Sequence, residues 1–526
     1  MTCVFRRASS PPPTHTPSSL TTLLPSTPTH SMDPNHPSLP AQTSLVIDFV
    51  IVGAGLAGLA CAVALRRVGH RVLVLEADPS LNVQNSGGCR MAPNLSKILY
   101  AWGLRDKLRE ITIKSQAIDL LLYETGEVLG THYWDEEMIR ETGGEFLFIH
   151  YGDLRNLLYD TAISHGAEVI FDARAACIDA DNQTITLASG KVLRADVIVG
   201  ADGASGVSRQ LLEEDDAPVH RLNMYSTTVP KTVIMQDEEL RYLYSHRHAA
   251  MYSWFGNSHA ALGFPLGGTP DFALFVYGPA DGHDASWDDK APHDALEQIL
   301  EPCEPRLRKL GRNAAPPVCV PIIEHPELED WVDDSGRLVV IGEAAHPLPP
   351  GSIQECAMAV EDGAVLAKLF SHLRSEDQIS HFLYAFQDLR QQRCARVLKK
   401  EINDIAFMTM PPGETQQCRD SVMRAKRDAG LDVLDAGSNM EETPEWAEIK
   451  EVFGYDAEDD ADNWWMEWGV LRERAKGLEL SCEVYGHVTV EEQGFPLSPK
   501  LASIIFSTLG TTQLSTRLVI EPGRCA

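Results

Sequence analysis

Apolar residues form two short runs near the start of the folded sequence, at 45–52 and Arg71–Leu75, separated by a glycine-rich turn and an alanine- and leucine-rich segment. The segment 56–68 has the length and composition of a helix, whereas the flanking runs are of strand length. The pattern therefore predicts a strand, a tight turn, a helix and a second strand, the opening unit of a parallel sheet.

The same alternation of short apolar runs and helix-length segments continues to about residue 224. Strands are predicted at 117–124, 127–133, 169–171, 184–187 and 196–200, with a helix at 154–165. From 225 to 320 the pattern changes to short aromatic and β-branched stretches between Gly and Pro turns, which predicts a mostly antiparallel sheet. The earlier pattern then resumes with a strand at 337–341 and helices at 354–372 and 379–401.

These elements predict an α/β fold whose Rossmann-type domain is interrupted by an inserted sheet and followed by C-terminal helices. We expect a Pro/Ser/Thr-rich disordered extension over 1–43, a nucleotide-type domain in two parts, the inserted sheet, and an acidic C-terminal appendage. The two parts of the nucleotide-type domain are 44–224 and 321–410, the insertion is 225–320 and the appendage is 411–526. Met32 is an alternative start.

Charge and cysteine usage narrow the class of protein. The 45 basic and 75 acidic residues give a net charge of −30, which argues against nucleic acid as a partner. The eleven cysteines show no C-x-x-C spacing, so we expect reduced thiols in a cytoplasmic protein and no metal site. Arg6 and Arg7 leave a mitochondrial presequence as the alternative. No apolar run reaches the length of about 18–20 residues of a transmembrane segment.

The first turn carries a dinucleotide fingerprint. Gly53 permits the tight turn, Gly55 lets the backbone approach a pyrophosphate at a helix N-terminus, and Gly58 lets helix and strand pack closely. Glu76, at the end of the second strand, can accept hydrogen bonds from ribose hydroxyls. A purely structural glycine turn is the alternative.

Two further glycine–acid turns follow in order, Gly200-Ala-Asp-Gly203 and Gly342-Glu343. The three together resemble the motifs of the single-component flavoprotein aromatic monooxygenases, the family of para-hydroxybenzoate hydroxylase and salicylate hydroxylase. Residues 200–209 and the segment Gly342–Pro347 with Glu361 and Asp362 carry this resemblance. The stretch from Trp254 to His259 and the pair Arg390/Arg393 are similar to the fungal salicylate-hydroxylase-like branch of the family.

The resemblance implies a glutathione-reductase-like fold, bound FAD, NADH or NADPH as co-substrate, and molecular oxygen. It implies hydroxylation of a small phenolic or aromatic-acid substrate through a flavin C4a-hydroperoxide, with oxidative decarboxylation as a further possibility. A monomer or homodimer is expected.

The resemblance also assigns roles near the cofactor. Asp202 and Gly203 belong to the second motif, and Glu343 is placed at the ribityl chain. From its place in the sequence alone, the loop that contains Gly88 is a candidate to reach over a bound cofactor. Gln354 and Cys356 begin the helix whose N–H groups are directed at the flavin pyrimidine edge.

The sequence departs from the family pattern at four positions. Glu343 stands where Asp is usual, and Ile353 and Glu355 replace two glycines. Tyr151 stands where Arg is common, and Arg155, one helical turn on, is the expected substitute. Glu355 is expected either to place a carboxylate near the flavin or to turn away from it.

Candidates for phenol activation are Tyr252 and His259. His346 can be interpreted as an acid/base or, alternatively, as a structural part of its turn. Two other functions remain open: a flavin-dependent epoxidase of secondary metabolism, and a flavin-binding scaffold that has lost turnover, which the missing glycines would explain.

Overall fold

The computed structural model describes residues 42–81, 87–213, 219–245, 250–280, 291–434 and 450–471. One compact unit extends to Trp465; a second, Met466–Ala526, is described only over 466–471, which are mainly helical. Residues 1–41 of the predicted extension and most of the predicted appendage lie outside the described residues.

The strands and helices of the described residues are numbered in chain order. The strands are β1 (Asp48–Val52), β2 (Arg71–Leu75), β3 (Gly88–Met91), β4 (Ile113–Lys114), β5 (Ala117–Leu122), β6 (Val128–Tyr133), β7 (Leu147–His150), β8 (Glu168–Ile170), β9 (Ala175–Asp179), β10 (Thr184–Leu187), β11 (Val192–Arg194), β12 (Val197–Gly200), β13 (Val219–Pro230), β14 (Ala250–Phe255), β15 (Ala260–Pro265), β16 (Asp271–Pro279), β17 (Val318–Glu324) and β18 (Leu338–Val340). The helices are α1 (Leu56–Arg67), α2 (Pro93–Ala101), α3 (Arg105–Ile111), α4 (Glu136–Glu141), α5 (Tyr151–Ser164), α6 (Val207–Gln210), α7 (Lys231–Gln236), α8 (Tyr242–Ser245), α9 (His293–Ile299), α10 (Pro305–Arg312), α11 (Glu355–Phe370), α12 (Gln378–Met408), α13 (Glu414–Asp428) and α14 (Ala457–Trp464), with a 3₁₀ turn at Gly342–Ala344.

A five-stranded parallel sheet of order β18-β12-β1-β2-β8 forms the first layer. Val50 pairs with Ile198 on one side and Leu73 on the other. Strands β12 and β18 are buried at every position, as expected of a parallel sheet covered on both faces. Helix α11 packs on α1, where Gly363 brings its backbone close to Cys61: an added Cβ would lie 2.6 Å from the Cys61 nitrogen. This layer confirms the predicted Rossmann-type architecture.

The second layer is a seven-stranded sheet of order β17-β13-β16-β15-β14-β5-β6, in which only the β14–β5 pair is parallel. It is mostly antiparallel, as predicted. Strands β5 and β6, however, come from residues 117–133, outside the expected insertion. Alternation along a segment indicates a half-buried strand but does not specify which sheet it joins, because pairing is a long-range contact.

The two faces of this sheet have different neighbours. One face packs Met251, Leu262 and Phe275 towards β7 and the C-terminal helices. The other packs Tyr252 and Trp254 against α7–α10. Because successive side chains along a strand point to opposite faces, each residue of β14 belongs to one environment only.

Two small antiparallel sheets, β3-β7-β4 and β11-β10-β9, complete the described strands. Helix α12 runs seven residues beyond its predicted end at 401, a difference that affects the site. No helix among the described ranges is both long and apolar enough to cross a membrane.

Candidate active site

A cavity of about 530 Å³ opens at the carboxyl ends of the parallel strands. Its lining includes residues from all three glycine–acid turns, namely Gly53, Gly55, Asp202, Gly203, Gly342 and Glu343, together with Glu76 and Cys356. Ligands of open α/β sheets bind at this edge. Segments that are far apart in the sequence therefore meet around one space.

The three glycines of the first turn have different surroundings. Gly53 has φ +106°, and a Cβ there would lie 2.3 Å from the Ala201 carbonyl oxygen. A Cβ on Gly58 would lie 2.0 Å from the Gly53 oxygen, so both positions exclude a side chain. A Cβ on Gly55, at the N-terminus of α1, would meet nothing within 4 Å. Gly55 thus leaves open space where a phosphate could approach the helix N-terminus.

Glu76 and Arg155 form a buried pair behind this turn. One Glu76 oxygen accepts hydrogen bonds from Ala54 N at 3.0 Å and Arg155 Nη2 at 2.9 Å. Arg155 Nε donates to the Ala54 carbonyl at 2.8 Å. Only Glu76 lines the cavity, so the structure places Arg155 as a support for the turn rather than at the cavity surface.

In the second motif, Asp202 caps the short helix α6. Its carboxylate accepts from Ser208 N at 3.1 Å and from the Ser208 hydroxyl. Burial raises the pKa of Asp202. Gly203 has φ +83°, and a Cβ there would lie 3.6 Å from Glu343 Oε2, which brings the second and third motifs together.

Carboxyl groups dominate the other end of the cavity. Glu343 lines it, and partial removal of its carboxyl group from bulk water raises its pKa. Glu355 is half-buried, also lines the cavity, and accepts a hydrogen bond from Gly351 N at 2.9 Å. Burial and then the neighbouring Glu343 raise the pKa of Glu355 to about 8. Glu355 therefore does not turn away, and it is largely uncharged at neutral pH.

The backbone N–H groups just before α11 are not free to face a flavin, contrary to the prediction from the sequence. The Ile353 and Gln354 N–H groups donate to Glu401, at 3.2 and 3.0 Å, rather than facing the cavity. Gln354 is buried, and its Oε1 accepts from Asn94 at 2.8 Å. Burial is the main cause that raises the pKa of Glu401 to about 7. No sequence motif signals Glu401, because its role depends on α12 crossing the N-terminus of α11.

Gly88 and Cys356 differ in whether they line the cavity. A Cβ on Gly88 would meet Ala273 and Phe264 at 2.5 and 2.6 Å, so Gly88 allows β3 to pack on the large sheet rather than lining the cavity. Cys356 does line it, and its Sγ is 3.1 Å from Cys89 Sγ.

A buried ion network holds the third turn in place. Asp362 accepts from Gly342 N at 2.7 Å, from His346 Nε2 at 2.6 Å and from Arg390 Nε at 2.7 Å. Arg390 and Arg393 also bind Glu361. Burial alone would lower the pKa of His346, but the Asp362 carboxylate raises it to about 10. The hydrogen bond to Asp362 thus gives His346 a structural part in its turn.

His346, Asp362 and Cys394 place a nitrogen, an oxygen and a sulfur within 4.8 Å of one another. Both Asp362 oxygens are already engaged by Gly342, His346 and Arg390. Hydrogen bonding therefore accounts for this cluster.

A second cavity, of about 980 Å³, begins on the other side of the same turn. Pro347, Pro349, Leu222, Ile322 and the α12 residues Leu398, Ile402 and Ile405 line it, and His346 lines both cavities. No lysine or arginine occurs among its described lining residues, whereas Glu324, Glu327 and Glu329 lie at exposed positions.

The structure does not bring Tyr252 or His259 to either cavity. Tyr252 lies on the face of β14 that packs against α8, and its hydroxyl donates to the Leu243 carbonyl at 3.3 Å. His259 lies at the β14–β15 turn, hydrogen-bonded to the Asn257 carbonyl at 2.7 Å and stacked on Tyr123. Strand alternation and a hairpin turn therefore remove both residues from the site that the sequence suggested.

Comparisons with known proteins agree with this architecture. The family model for the FAD binding domain matches residues 46–401. The FAD-dependent monooxygenase OpS4 of Beauveria bassiana is 27% identical over 72% of this chain and 89% of its own. The 6-hydroxynicotinate 3-monooxygenase of Bordetella bronchiseptica is 26% identical over 66% and 88%.

Solved structures show the same fold. CtdE in complex with FAD and a substrate aligns with a TM-score of 0.67 and 18% identity, covering 81% of this chain and all of CtdE. A salicylate hydroxylase substrate complex aligns with a TM-score of 0.61 and 16% identity, covering 79% and 97%.

Proposed function

Because the chain belongs to the FAD-binding domain family, we propose that it is an FAD-dependent monooxygenase that uses NADH or NADPH and molecular oxygen to hydroxylate an aromatic substrate. The observation that carries the proposal is the meeting of two cavities at the turn 342–349, with His346 lining both. One cavity has the features of a dinucleotide site, and the other has room for a separate organic molecule.

The residues present fit FAD. Gly55 leaves open space at the N-terminus of α1 for a pyrophosphate, Glu76 offers a carboxylate for ribose hydroxyls, and Glu343 lies further along the same cavity for the ribityl hydroxyls. Bound FAD would supply electron transfer from a nicotinamide to oxygen and the transfer of one oxygen atom to the substrate.

The protein's own contribution is position and shelter. The Asp362–His346 pair and the Gly342 N–H bond hold the turn between the two cavities in one conformation. Apolar side chains of α12 and the large sheet form part of the wall of the second cavity, beside the turn.

The second cavity favours an uncharged substrate over an aromatic acid. A carboxylate there would find no lysine or arginine among the described lining residues, the His346 ring is already hydrogen-bonded to Asp362, and exposed glutamates at the rim would repel the carboxylate. Its volume of about 980 Å³ is near the upper end of the roughly 300–1,000 Å³ that drug-sized ligands occupy. We therefore infer an uncharged phenolic substrate of more than one ring, and the decarboxylating route loses its support.

Matched substrates test this proposal. The purified protein should carry the absorption of oxidised FAD. Methyl salicylate and methyl 3-hydroxy-2-naphthoate should stimulate NAD(P)H oxidation more than salicylate and 3-hydroxy-2-naphthoate, and mass spectrometry should find products that contain one added oxygen atom. A colourless protein that gains no cofactor with added FAD would contradict the family-based proposal, whereas preference for the acids would contradict only the substrate class.

Epoxidation is a second candidate, favoured by one observation. Neither Tyr252 nor His259 lines either of the two cavities described above, so neither candidate for phenol activation is placed to act there. Epoxidation of an alkene requires no phenol deprotonation. An alkene-bearing aromatic in the same assay would give an epoxide or its diol instead of a phenol.

The flavin-binding scaffold without turnover is the third possibility. The observation behind it is that Glu401 takes the N–H groups of Ile353 and Gln354. A yellow protein that consumes no NAD(P)H with any phenol or alkene tested would support it.

A further inference from the structure

Two buried thiols meet at the wall of the first cavity. Cys89 lies in β3 and Cys356 is the second residue of α11, and their Sγ atoms are 3.1 Å apart. Cys89 is 3% exposed and Cys356 is 8% exposed. A disulfide has an S–S distance of about 2.05 Å, so the sulfurs would need to approach by only about 1 Å to bond.

The surrounding contacts hold the two segments beside each other. Arg90, next to Cys89, donates to the Gly351 carbonyl, and Glu355, next to Cys356, accepts from Gly351 N at 2.9 Å. Tyr277 also donates to the Gly351 carbonyl, at 3.2 Å. Gly351 thus ties β3 to the first turn of α11 from both sides. The hydrogen bonds to Gly351 therefore hold the two buried thiols beside each other.

We propose that Cys89 and Cys356 form a redox-active dithiol that reduces hydrogen peroxide and is converted to an intramolecular disulfide. In the first step, the Cys356 sulfur attacks one peroxide oxygen, the O–O bond breaks, and Cys356 sulfenic acid and water form. In the second step, the Cys89 sulfur attacks the Cys356 sulfur, the S–O bond breaks, and a second water leaves. The dithiol loses two electrons and two protons, and the peroxide gains them.

The order of the two sulfurs follows from their positions. Cys356 lines the first cavity and Cys89 does not, so peroxide that enters this cavity meets Cys356 first. Because the same cavity is the proposed FAD site, the oxidation should be faster in FAD-free protein than in FAD-loaded protein. Contact with the Cys89 thiol, and then burial, raise the pKa of the Cys356 thiol well above its usual range. Since the thiolate is the nucleophile, the oxidation should be slow at neutral pH and faster as the pH rises. The inference rests on the thiol geometry and does not require the proposed monooxygenase activity.

The test is disulfide mapping of the full-length protein. Purified reduced protein is treated with hydrogen peroxide, blocked with iodoacetamide in denaturant, digested without reduction, and analysed by mass spectrometry. We expect a peptide pair joined through Cys89 and Cys356, loss of two of the eleven thiols, and recovery of both with dithiothreitol. Retention of both thiols while the exposed Cys177 and Cys418 are oxidised would overturn the proposal.

Serine variants assign the two steps. Cys89→Ser should abolish the linked peptide and leave Cys356 trapped as sulfenic or sulfinic acid, whereas Cys356→Ser should leave Cys89 reduced. Cys394→Ser, a buried cysteine on α12, is the matched control and should leave the linkage unchanged. A linked peptide that involves any other cysteine in place of this pair would also overturn the proposal. The mapping of the unaltered protein decides the question even if a serine variant fails to fold.

Discussion

Replacing Glu355 with glutamine should make the protein more stable at alkaline pH and leave its stability at acid pH unchanged. Burial and Glu343 raise the pKa of Glu355 from 4.5 to about 8 in the folded chain. Between these values the folded protein retains a proton that the unfolded chain releases. The free energy of unfolding therefore falls as pH rises through this window, and the loss is complete above pH 8. Glutamine has no proton to lose and can still accept from Gly351 N.

The magnitude follows from the size of the pKa difference. Each unit between the folded and unfolded pKa corresponds to about 1.4 kcal/mol, which sets an upper bound of about 5 kcal/mol for Glu355. Because Glu355 is half-buried and its exposed part faces the cavity, solvent screening reduces this to roughly 2–4 kcal/mol at pH 8.5. Glu401, whose pKa is raised to about 7, acts in the same direction in both proteins, so the comparison cancels much of its effect.

Urea unfolding followed by tryptophan fluorescence, on FAD-free protein at pH 4.5 and pH 8.5, measures the difference. Glu414→Gln, at an exposed first-turn position of α13, is the control and should change stability by less than about 0.5 kcal/mol at both pH values. An equal effect of Glu355→Gln at the two pH values, or none at either, would refute the reasoning that a buried proton on Glu355 links stability to pH.

Three further predictions concern the buried ion network at Asp362, the first glycine turn, and Tyr252 on the face of the large sheet that packs against α7–α10. Arg390→Met should lower the free energy of unfolding in urea by about 3–5 kcal/mol, because it leaves Glu361 and Asp362 buried with fewer partners. Arg396→Met removes an exposed pair with Glu451 and should lower it by less than about 1 kcal/mol. Equal urea midpoints for the two variants would contradict this prediction. Gly58→Ala should prevent recovery of folded protein, because its Cβ would lie 2.0 Å from the Gly53 oxygen. Gly55→Ala should keep the urea midpoint and weaken FAD binding by at least ~10-fold, as measured by fluorescence titration. Tight FAD binding by Gly55→Ala would show that the open space beside Gly55 is not the pyrophosphate site. Tyr252→Phe should change the rate of substrate-stimulated NAD(P)H oxidation by less than about 2-fold, and a loss above ~10-fold at unchanged stability would return Tyr252 to the site.

Local chemistry determined much of this protein from the sequence. Gly53 has a positive φ of +106°, and Gly58 packs on the Gly53 carbonyl within the same turn, and such requirements are visible as residue type and spacing. Apolar runs of strand length, repeated in order, predicted the parallel sheet and the mostly antiparallel second sheet, and both are confirmed. Three motifs in sequence order predicted the FAD-binding family, and the match over residues 46–401 confirms it.

Tertiary structure decided which side chains share an environment. The sequence named Tyr252 as a candidate for phenol activation, but in the structure Tyr252 lies on the face of β14 that packs against α8, away from both cavities. Glu401 binds the N-terminus of α11 because α12 crosses it, and Cys89 meets Cys356 across 267 positions of chain. The absence of lysine and arginine from the described lining of the second cavity likewise emerges only once α12 and the large sheet come together. These contacts join residues that no local pattern relates, so they exist only after the long-range packing that buries both partners.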